Sequence, residues 1–282
     1  GNFLVDYSID ILKGPIPMFM VLSIVANMVK TKVFWFGVSV GPLCTSLGKD
    51  MTFFVAKLAD CITIRDKKSF DLLSGLGVKQ PLHVFPDPVL GLKNKNDEPP
   101  WNCTAYSDAH SSYRRVIAIS VRNLPSSEGL KNERYLELIA NICDTFILKY
   151  DLNILFIPQC TYESGDDLSD DRVVANKVIE MIKNKDHCFT VCENLDIKKH
   201  MQLYKGAVAS ICTRLHGSVF SIMNGVPTIG LNYNPKVQSF FDWCGIPQYA
   251  LELNSVQSVD LEETYDAVIK EKAIFMQISK RI

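Results

Sequence analysis

The chain alternates between short apolar runs rich in β-branched residues and longer segments whose apolar residues recur with helical spacing. The elements predicted in the first third are a strand at 31–40, a helix at 45–60, a strand at 61–64, a helix at 66–76 and a strand at 82–85. This β–α–β–α order predicts a parallel sheet with helices packed on its faces.

The alternation stops between 91 and 114, where two consecutive prolines and polar residues replace the apolar runs. It then restarts, with strands predicted at 115–121, 153–158, 188–191, 207–212 and 226–231, and helices at 133–150, 170–184, 196–205, 215–224, 235–244 and 261–278. The predicted domains are an N-terminal Rossmann-like lobe at 1–95, a connector at 96–114, a C-terminal Rossmann-like lobe at 115–260 and a C-terminal helix at 261–282. We expect the two lobes to face each other across a cleft, with ligands outside the carboxyl ends of their strands.

Composition and charge narrow the classes of function. Hydrophobic residues make up 47% of the chain and charged residues 22%, which is typical of a globular protein. Thirty Lys and Arg nearly balance 31 Asp and Glu, so no global field attracts nucleic acid or an acidic membrane. Any anion site must therefore be built locally, and no nucleic-acid partner is predicted.

The nine cysteines form no Cys-x-x-Cys pair, and several lie in apolar runs. This distribution indicates buried, reduced thiols in a cytoplasmic protein. Cys188 and Cys192 are four residues apart and His187 adjoins the first, but no second pair with zinc-site spacing follows. We therefore predict no metal.

The longest apolar run covers 16–29 and contains Pro17 and Asn27. It is shorter than the roughly 20 residues that span a bilayer, so no transmembrane segment is predicted. It also lacks the basic start and the small-residue cleavage site of a signal peptide. A buried helix is the favoured interpretation, with a helix that grazes the inner face of a membrane as the alternative.

The strand predicted at 207–212 runs directly into Thr213-Arg214-Leu215-His216-Gly217. These residues lie where a strand ends and a helix begins, so free N–H groups and the helix dipole favour an anion. Arg214 adds a planar charge for a carboxylate or phosphate, His216 can exchange protons near neutral pH, and Gly217 lets a ligand approach the backbone. A histidine in the first turn of a helix can equally be structural, and both interpretations stay open.

Two further polar segments follow predicted strands. Arg122, in Ser-Val-Arg-Asn, would face the cleft and form a second cationic grip, unless it is a solvated turn residue. Tyr233 and Lys236 follow the strand at 226–231, where Lys236 would meet a phosphate or remain a solvated charge. Arg65, at the end of the strand at 61–64, is an additional candidate.

An acidic stretch at 163–171 (ESGDDLSDD) follows the strand at 153–158. It would touch sugar hydroxyls or cap the next helix, and capping alone explains it.

The run SICTRLHGSVFSIMNGVPTIGLNYNPKVQSFFDWCGI resembles the C-terminal signature of the polysaccharide pyruvyl transferase family. That signature has an Arg-Leu-His triplet, a helix, Gly-Val-Pro, an Ile-Gly strand, Tyr and Pro-Lys. Four more segments occur in the family's order: FGVSVGPL at 36–43, ITIRDKKSFDLLSGLGV at 62–78, PDPVL at 86–90 and IAISVRNL at 117–124. The resemblance covers nearly the whole chain.

The resemblance implies two Rossmann-like lobes, as in bilobal GT-B-type glycosyltransferases. It implies transfer of pyruvate from phosphoenolpyruvate to a sugar of an exopolysaccharide or capsule, or of its lipid- or nucleotide-linked precursor, forming a ketal. By position, Arg122 and Arg214 would bind phosphoenolpyruvate together with Leu215 and Gly217, and His216 would deliver the proton. Phosphoenolpyruvate is then a substrate, and no cofactor is implied. Family members usually begin with a further glycine-rich segment, so the first lobe is expected to be N-terminally truncated.

Two alternatives remain open on the sequence. One is a GT-B-type glycosyltransferase that uses a nucleotide sugar, with Glu252, Glu262 or Glu263 near the ribose. The other is an inactive carbohydrate-binding relative.

Overall fold

The computed structural model describes residues 2–6, 14–92, 103–124, 132–161 and 169–282. Contacts divide the chain into two compact units, Gly1–Leu92 and Lys93–Ile282, which we call unit 1 and unit 2.

The described part of unit 1 forms a parallel sheet with three α-helices. Its strands are β1 (Asn2–Asp6), β2 (Phe34–Leu43), β3 (Cys61–Ile64) and β4 (Leu82–Val84), in that order across the sheet. Its helices are α1 (Pro15–Met28), α2 (Ser46–Lys57) and α3 (Lys67–Gly75). The side chains of Thr45 and Asp66 cap α2 and α3, which explains why these helices begin where they do.

Helix α1 is less buried than its sequence predicts. Met18, Leu22, Val25 and Met28 are all exposed, Met28 to 77%. The prediction of a buried helix is wrong for most of the surface of α1, because its apolar residues surround the helix while only part of it packs on the unit. Within the described part of the chain, no helix is both long and apolar enough to cross a membrane.

Unit 2 is a larger parallel sheet with helices. Its strands are β5 (Arg115–Ser120), β6 (Leu152–Phe156), β7 (Cys188–Thr190), β8 (Ala207–Cys212), β9 (Thr228–Asn232) and β10 (Ala250–Glu252). Its helices are α4 (Thr104–His110), α5 (Asn132–Lys149), α6 (Asp171–Met181), α7 (Ile197–Gln202), α8 (Leu215–Met223), α9 (Pro235–Cys244), α10 (Ser258–Lys270) and α11 (Lys272–Arg281). Strands β5, β6 and β8 are almost entirely buried, as expected for a parallel sheet covered on both faces.

The strand order of unit 2 is β7-β6-β5-β8-β9-β10. Numbered from β5, this is the 3-2-1-4-5-6 order of the doubly wound dinucleotide-binding fold. The order reverses between β5 and β8, so the loops after these two strands diverge and leave a crevice at their carboxyl ends. The prediction of parallel, Rossmann-like α/β lobes is confirmed in each unit.

Three details differ from the sequence predictions. The predicted connector contains α4, which belongs to unit 2: Tyr106 donates to the carbonyl of Lys205 at 2.8 Å, and Asn153 donates to that of Ala109 at 2.8 Å. Connector residues 96–102 lie outside the described residues. The single helix predicted at 261–278 is two helices, α10 and α11, and the short strand β10 was not predicted.

The cysteines are all free thiols, and they are not uniformly buried. Of the cysteines in apolar runs, Cys143 and Cys212 are buried as predicted, whereas Cys61 is only half-buried; Cys103 and Cys244 are buried as well. Cys44 and Cys192 are exposed, so the prediction fails for these two.

Candidate functional site

The arginines of the two sequence motifs leave neighbouring strands at the point where the sheet order reverses. Ser120 of β5 and Cys212 of β8 are aligned in the parallel ladder, and the N–H of Thr213 donates to the carbonyl of Ser120 at 2.9 Å. Arg122 and Arg214 each follow their aligned residue by two positions. The structure therefore brings together two residues that are far apart in sequence, at the edge where this fold binds ligands.

Arg214 is held by a buried carboxylate. Its Nε lies 3.0 Å from Oδ2 of Asp171, and its Nη2 lies 2.6 Å from Oδ1. The Asp171 side chain is 1% exposed and that of Arg214 is 19% exposed. Burial opposes the charge of Arg214, but the hydrogen bonds and charge of Asp171 outweigh it and raise its pKa. Nη1 has no hydrogen-bond partner among the described residues, which leaves this edge of the guanidinium for an anion.

Asp171 is itself fixed by the loop after β6. Its Oδ2 accepts the backbone N–H groups of Gln159 and Cys160, both at 3.0 Å. The neighbouring Asp170 has a different role, since it caps α6 and forms an ion pair with Arg172. Capping, predicted for the acidic stretch, is thus confirmed for Asp170, while residues 163–168 lie outside the described residues. The Asp171–Arg214 pair had no sequence signal other than the carboxylate at the end of this stretch.

Arg122 is held by a tyrosine from the next motif. Its Nη1 donates to the hydroxyl of Tyr233, its guanidinium carbon lies 4.5 Å from that ring's centroid, and its Nε donates to the carbonyl of Asn123 at 3.0 Å. The Cys160 thiol lies near both arginines: burial raises its pKa, and Arg214 and Arg122 each oppose this. Arg122, Arg214 and Tyr233 therefore belong to one cluster.

Tyr135 joins the two loops from below. Its hydroxyl lies 2.8 Å from Oγ1 of Thr213 and accepts the N–H of Arg122 at 3.4 Å. It is a buried α5 side chain, and burial raises its pKa, so it remains a neutral phenol that can both donate and accept. Tyr135 therefore contacts both loops, through the side chain of Thr213 next to Arg214 and through the backbone N–H of Arg122.

His216 lies in the first turn of α8, exposed at its surface, with Leu215 as the first helical residue and Arg214 as the N-cap. Its ring stacks on Phe220, with centroids 6.0 Å apart. A Cβ at Gly217 would lie 3.0 Å from Cβ of Ser120 and from the hydroxyl of Tyr204. The expected close approach at Gly217 is therefore to the protein's own groups rather than to a ligand.

A pocket of about 260 Å³ adjoins His216. Its other lining residues are Gln159, Leu195, Ile197, His200 and Phe220. Nε2 of Gln159 lies 2.9 Å from Nε2 of His200. Burial and, to a lesser extent, the nearby His216 lower the pKa of His200 to about 4. Neither His200 nor Gln159 belongs to a sequence motif, so neither was predicted.

The remaining candidates lie elsewhere or have local roles. Arg65 belongs to unit 1, where its Nε donates to Oγ of Ser39 at 2.7 Å and its Nη1 pairs with Asp87. Its side chain is 8% exposed, and it links the end of β3 to the middle of β2 and to the segment that follows β4. Lys236 is half-buried in the first turn of α9, where its N–H donates to the capping side chain of Asn234. Among the described residues, no group of three or more His, Cys, Asp or Glu is placed to hold a metal ion.

The sequence model of the family described as polysaccharide pyruvyl transferase matches residues 7–235, a span that includes both arginine loops and His216. The chain belongs to this family. Membership in this family supports pyruvyl transfer in polysaccharide biosynthesis as the broad function of the chain. It also confirms the resemblance seen in the sequence.

A curated relative points to the same area of biology. The amylovoran biosynthesis protein AmsJ of Erwinia amylovora is 22% identical over all of this chain, which spans 67% of AmsJ. Its name places AmsJ in amylovoran biosynthesis.

Solved structures show the fold alone at their level of identity. UDP-GlcNAc 2-epimerase from Methanocaldococcus jannaschii has a TM-score of 0.56 at 13% identity, covering 89% of this chain and 67% of its own. A UDP-forming α,α-trehalose-phosphate synthase from Burkholderia xenovorans has a TM-score of 0.56 at 8% identity, covering 93% and 68%. The pyruvyl transferase chain therefore shares the GT-B-type fold of epimerases and glycosyltransferases.

Proposed function

We propose that this chain transfers the pyruvyl group of phosphoenolpyruvate to two hydroxyls of one sugar, in a polysaccharide or its lipid- or nucleotide-linked precursor, giving a pyruvate ketal and phosphate. The observation that carries this proposal is the pair of strand-end arginines beside His216, one held by Asp171 and the other by Tyr233.

The donor's charges match this arrangement. Phosphoenolpyruvate has a carboxylate and a phosphate on a three-carbon frame, and each needs a cationic partner. Arg214 offers its Nη1 edge, and Arg122 is pinned through Nε and Nη1, so both guanidinium groups are already oriented for an anion. The N–H groups at the start of α8 add further donors for the phosphate.

The reaction needs one acid. His216 would deliver a proton to the methylene carbon C3, turning it into a methyl group and leaving a cation-like C2 that the first sugar hydroxyl attacks with loss of its proton. The second hydroxyl then displaces phosphate: the C2–O bond to phosphate breaks and a second C2–O bond to the sugar forms. One of the two hydroxyl protons restores His216, and the other leaves with phosphate. Arg122, Arg214 and the α8 N-terminus would stabilise the charge on the departing group.

Phosphate release tests the proposal. The protein is incubated with phosphoenolpyruvate and a panel of lipid-linked and nucleotide-linked sugars, and the product sugar is analysed by mass spectrometry for the added pyruvyl group. We expect phosphate release that depends on both substrates. Release of UMP or UDP from a sugar nucleotide, with no phosphate from phosphoenolpyruvate, would instead support the glycosyltransferase alternative. Neither release, together with no calorimetric binding of phosphoenolpyruvate, would support the inactive relative.

A further inference from the structure

The pocket beside His216 has a chemical character different from that of the arginine cluster. Among the described residues that line it there is no carboxylate and no Arg or Lys. Leu195, Ile197 and Phe220 supply apolar surface, and Gln159 and His200 supply polar groups. The pocket lies wholly within unit 2.

The hydrogen bonds inside the pocket fix the protonation of His200. The Nε2 amide of Gln159 donates to Nε2 of His200 at 2.9 Å and to the hydroxyl of Tyr204 at 2.9 Å. An amide nitrogen only donates, so Nε2 of His200 must accept, and its ring proton lies on Nδ1. Since burial lowers the pKa of His200 to about 4, the ring is neutral at physiological pH.

Two polar atoms of the pocket are left for a ligand. Oε1 of Gln159 and Nδ1 of His200 have no hydrogen-bond partner in the part of the chain that the structure describes, and neither is an enclosed atom. The first accepts and the second donates, so together they match hydroxyl groups, each of which does both. Apolar side chains beside them suit the C–H face of a sugar ring.

The donor does not suit this pocket. A carboxylate and a phosphate placed here would lose hydration and have at most one cationic partner, the His216 imidazolium, because Arg122 and Arg214 are not among the lining residues. The volume of about 260 Å³ lies just below the roughly 300–1,000 Å³ typical of sites for drug-sized ligands, which suits one ring rather than an oligosaccharide.

We propose that this pocket is the acceptor subsite, and that it receives an uncharged pyranose ring whose hydroxyls bind Oε1 of Gln159 and Nδ1 of His200. The inference rests on the proposed function, since it sets a sugar hydroxyl beside His216. It narrows the acceptor to a neutral sugar at the position that is modified.

Ligand-observed saturation-transfer NMR on the full chain tests the subsite. The probes are millimolar methyl glycosides of galactose, glucose and mannose, with the methyl glycoside of glucuronic acid as the charged probe. We expect transfer to at least one neutral glycoside and none to the glucuronide. His200→Leu should weaken the neutral glycoside about tenfold, the equivalent of about 1.4 kcal/mol for one lost hydrogen bond. Ile197→Ala, at a half-exposed position that folding tolerates, should weaken it about threefold.

His187→Leu is the matched control. His187 contacts Asn153 rather than the pocket, and its loss should leave glycoside binding unchanged. The proposal is wrong if no neutral glycoside binds, or if neither pocket variant weakens binding. It is also wrong if phosphoenolpyruvate displaces the glycoside and His200→Leu weakens both equally, because the pocket would then hold the donor. Glycoside binding without any phosphate release contradicts the proposed function and leaves the subsite standing. Phosphate release by a protein whose pocket binds no glycoside contradicts the subsite alone.

Discussion

Arg65 in unit 1 and Arg214 in unit 2 occupy similar places. Arg65 directly follows β3, and Arg214 lies one residue further beyond the end of β8. Each pairs with a carboxylate. Their surroundings differ. Arg65 is 8% exposed, and its partners are Ser39 in the middle of β2 and Asp87 in the segment after β4. Arg214 is 19% exposed, and its neighbours include Tyr233 and the Cys160 thiol that Arg122 also influences.

The comparison teaches that a strand-end arginine is not by itself a binding residue. Arg65 and Arg214 differ in the hydrogen bonds that their guanidinium groups make and in the residues next to those groups. Asp171 holds one edge of Arg214, while a second arginine and a histidine share its crevice. Asp87 and Ser39 hold Arg65 in a structural role, and Asp87 also accepts the backbone N–H of Val89.

The largest expected difference between the two strand ends is the histidine beside Arg214. His216→Ala should lower phosphate release about 1,000-fold, because it removes the acid, and should leave phosphoenolpyruvate affinity within about 1 kcal/mol. Stopped assays of phosphate release and calorimetry measure the two quantities. His187→Ala, a histidine of unit 2 outside the pocket, is the control. An unfolded His216→Ala protein, judged by near-ultraviolet circular dichroism, would mean that His216 is structural.

Removing each arginine tests the comparison directly. Arg214→Met and Arg65→Met should both lower the free energy of unfolding, since each removes the arginine partner of a largely buried carboxylate. Only the first should weaken phosphoenolpyruvate binding, by about 2 kcal/mol or more. Urea unfolding and calorimetry separate the effects. Adding Asp87→Asn to Arg65→Met, or Asp171→Asn to Arg214→Met, should recover stability without restoring binding in the second case. If Arg65→Met and Arg214→Met lose phosphoenolpyruvate affinity equally, the two arginines do not differ in their role in binding.

We expect Asp171 to affect phosphoenolpyruvate binding by orienting the guanidinium of Arg214. Asp171→Asn keeps the shape but weakens the hold on the guanidinium, and we expect phosphoenolpyruvate affinity to fall by about 1–2 kcal/mol. Asp170→Asn changes the adjacent acid, which caps α6 and pairs with Arg172. Asparagine also caps a helix, so only the ion pair is lost, and we expect a cost of at most about 1 kcal/mol of stability with donor affinity unchanged. If the two variants bind the donor equally well, Asp171 does not position Arg214.

The last prediction concerns stability in acid. The pKa of His200 is lowered from 6.5 to about 4 in the folded chain, so between these pH values the unfolded chain binds a proton that the folded chain does not. The stability contributed by neutral His200 is complete above pH 6.5 and is lost as the pH falls towards 4. Discounting for partial exposure, we expect a loss of about 2 kcal/mol across this window. Urea unfolding at several pH values should show a flatter profile for His200→Gln, and an unchanged profile would contradict this assignment.

Much of the fold follows from the spacing of apolar residues. Strands β3 and β8 and helix α9 begin and end where the sequence predicts, because turn residues and a proline mark their limits. Helix α1 shows where the pattern fails. Its apolar residues surround the helix, so nothing in the sequence says which side packs on unit 1 and which stays exposed.

The candidate site was predictable only in part. Arg122, Arg214 and Tyr233 follow strands, and parallel strands bring their carboxyl ends to one edge, so their meeting could be expected. Their anchors could not. Asp171 looks like a helix cap in an acidic stretch, and Gln159 and His200 look like ordinary loop and helix residues, because their roles depend on partners that are distant in sequence.

By itself the sequence determined most of the order of strands and helices, the motif that carries Arg214 and His216, and through that motif the family. These are local properties, set by periodicity, turns and short runs of neighbours along the chain. The tertiary structure alone decided that β5 and β8 are adjacent, that the crevice opens between them, and that Asp171 and Tyr233 hold the two arginines. The physical reason is that hydrogen-bonded strand pairing and side-chain burial join residues regardless of their distance along the chain, and no local pattern records which partners they choose.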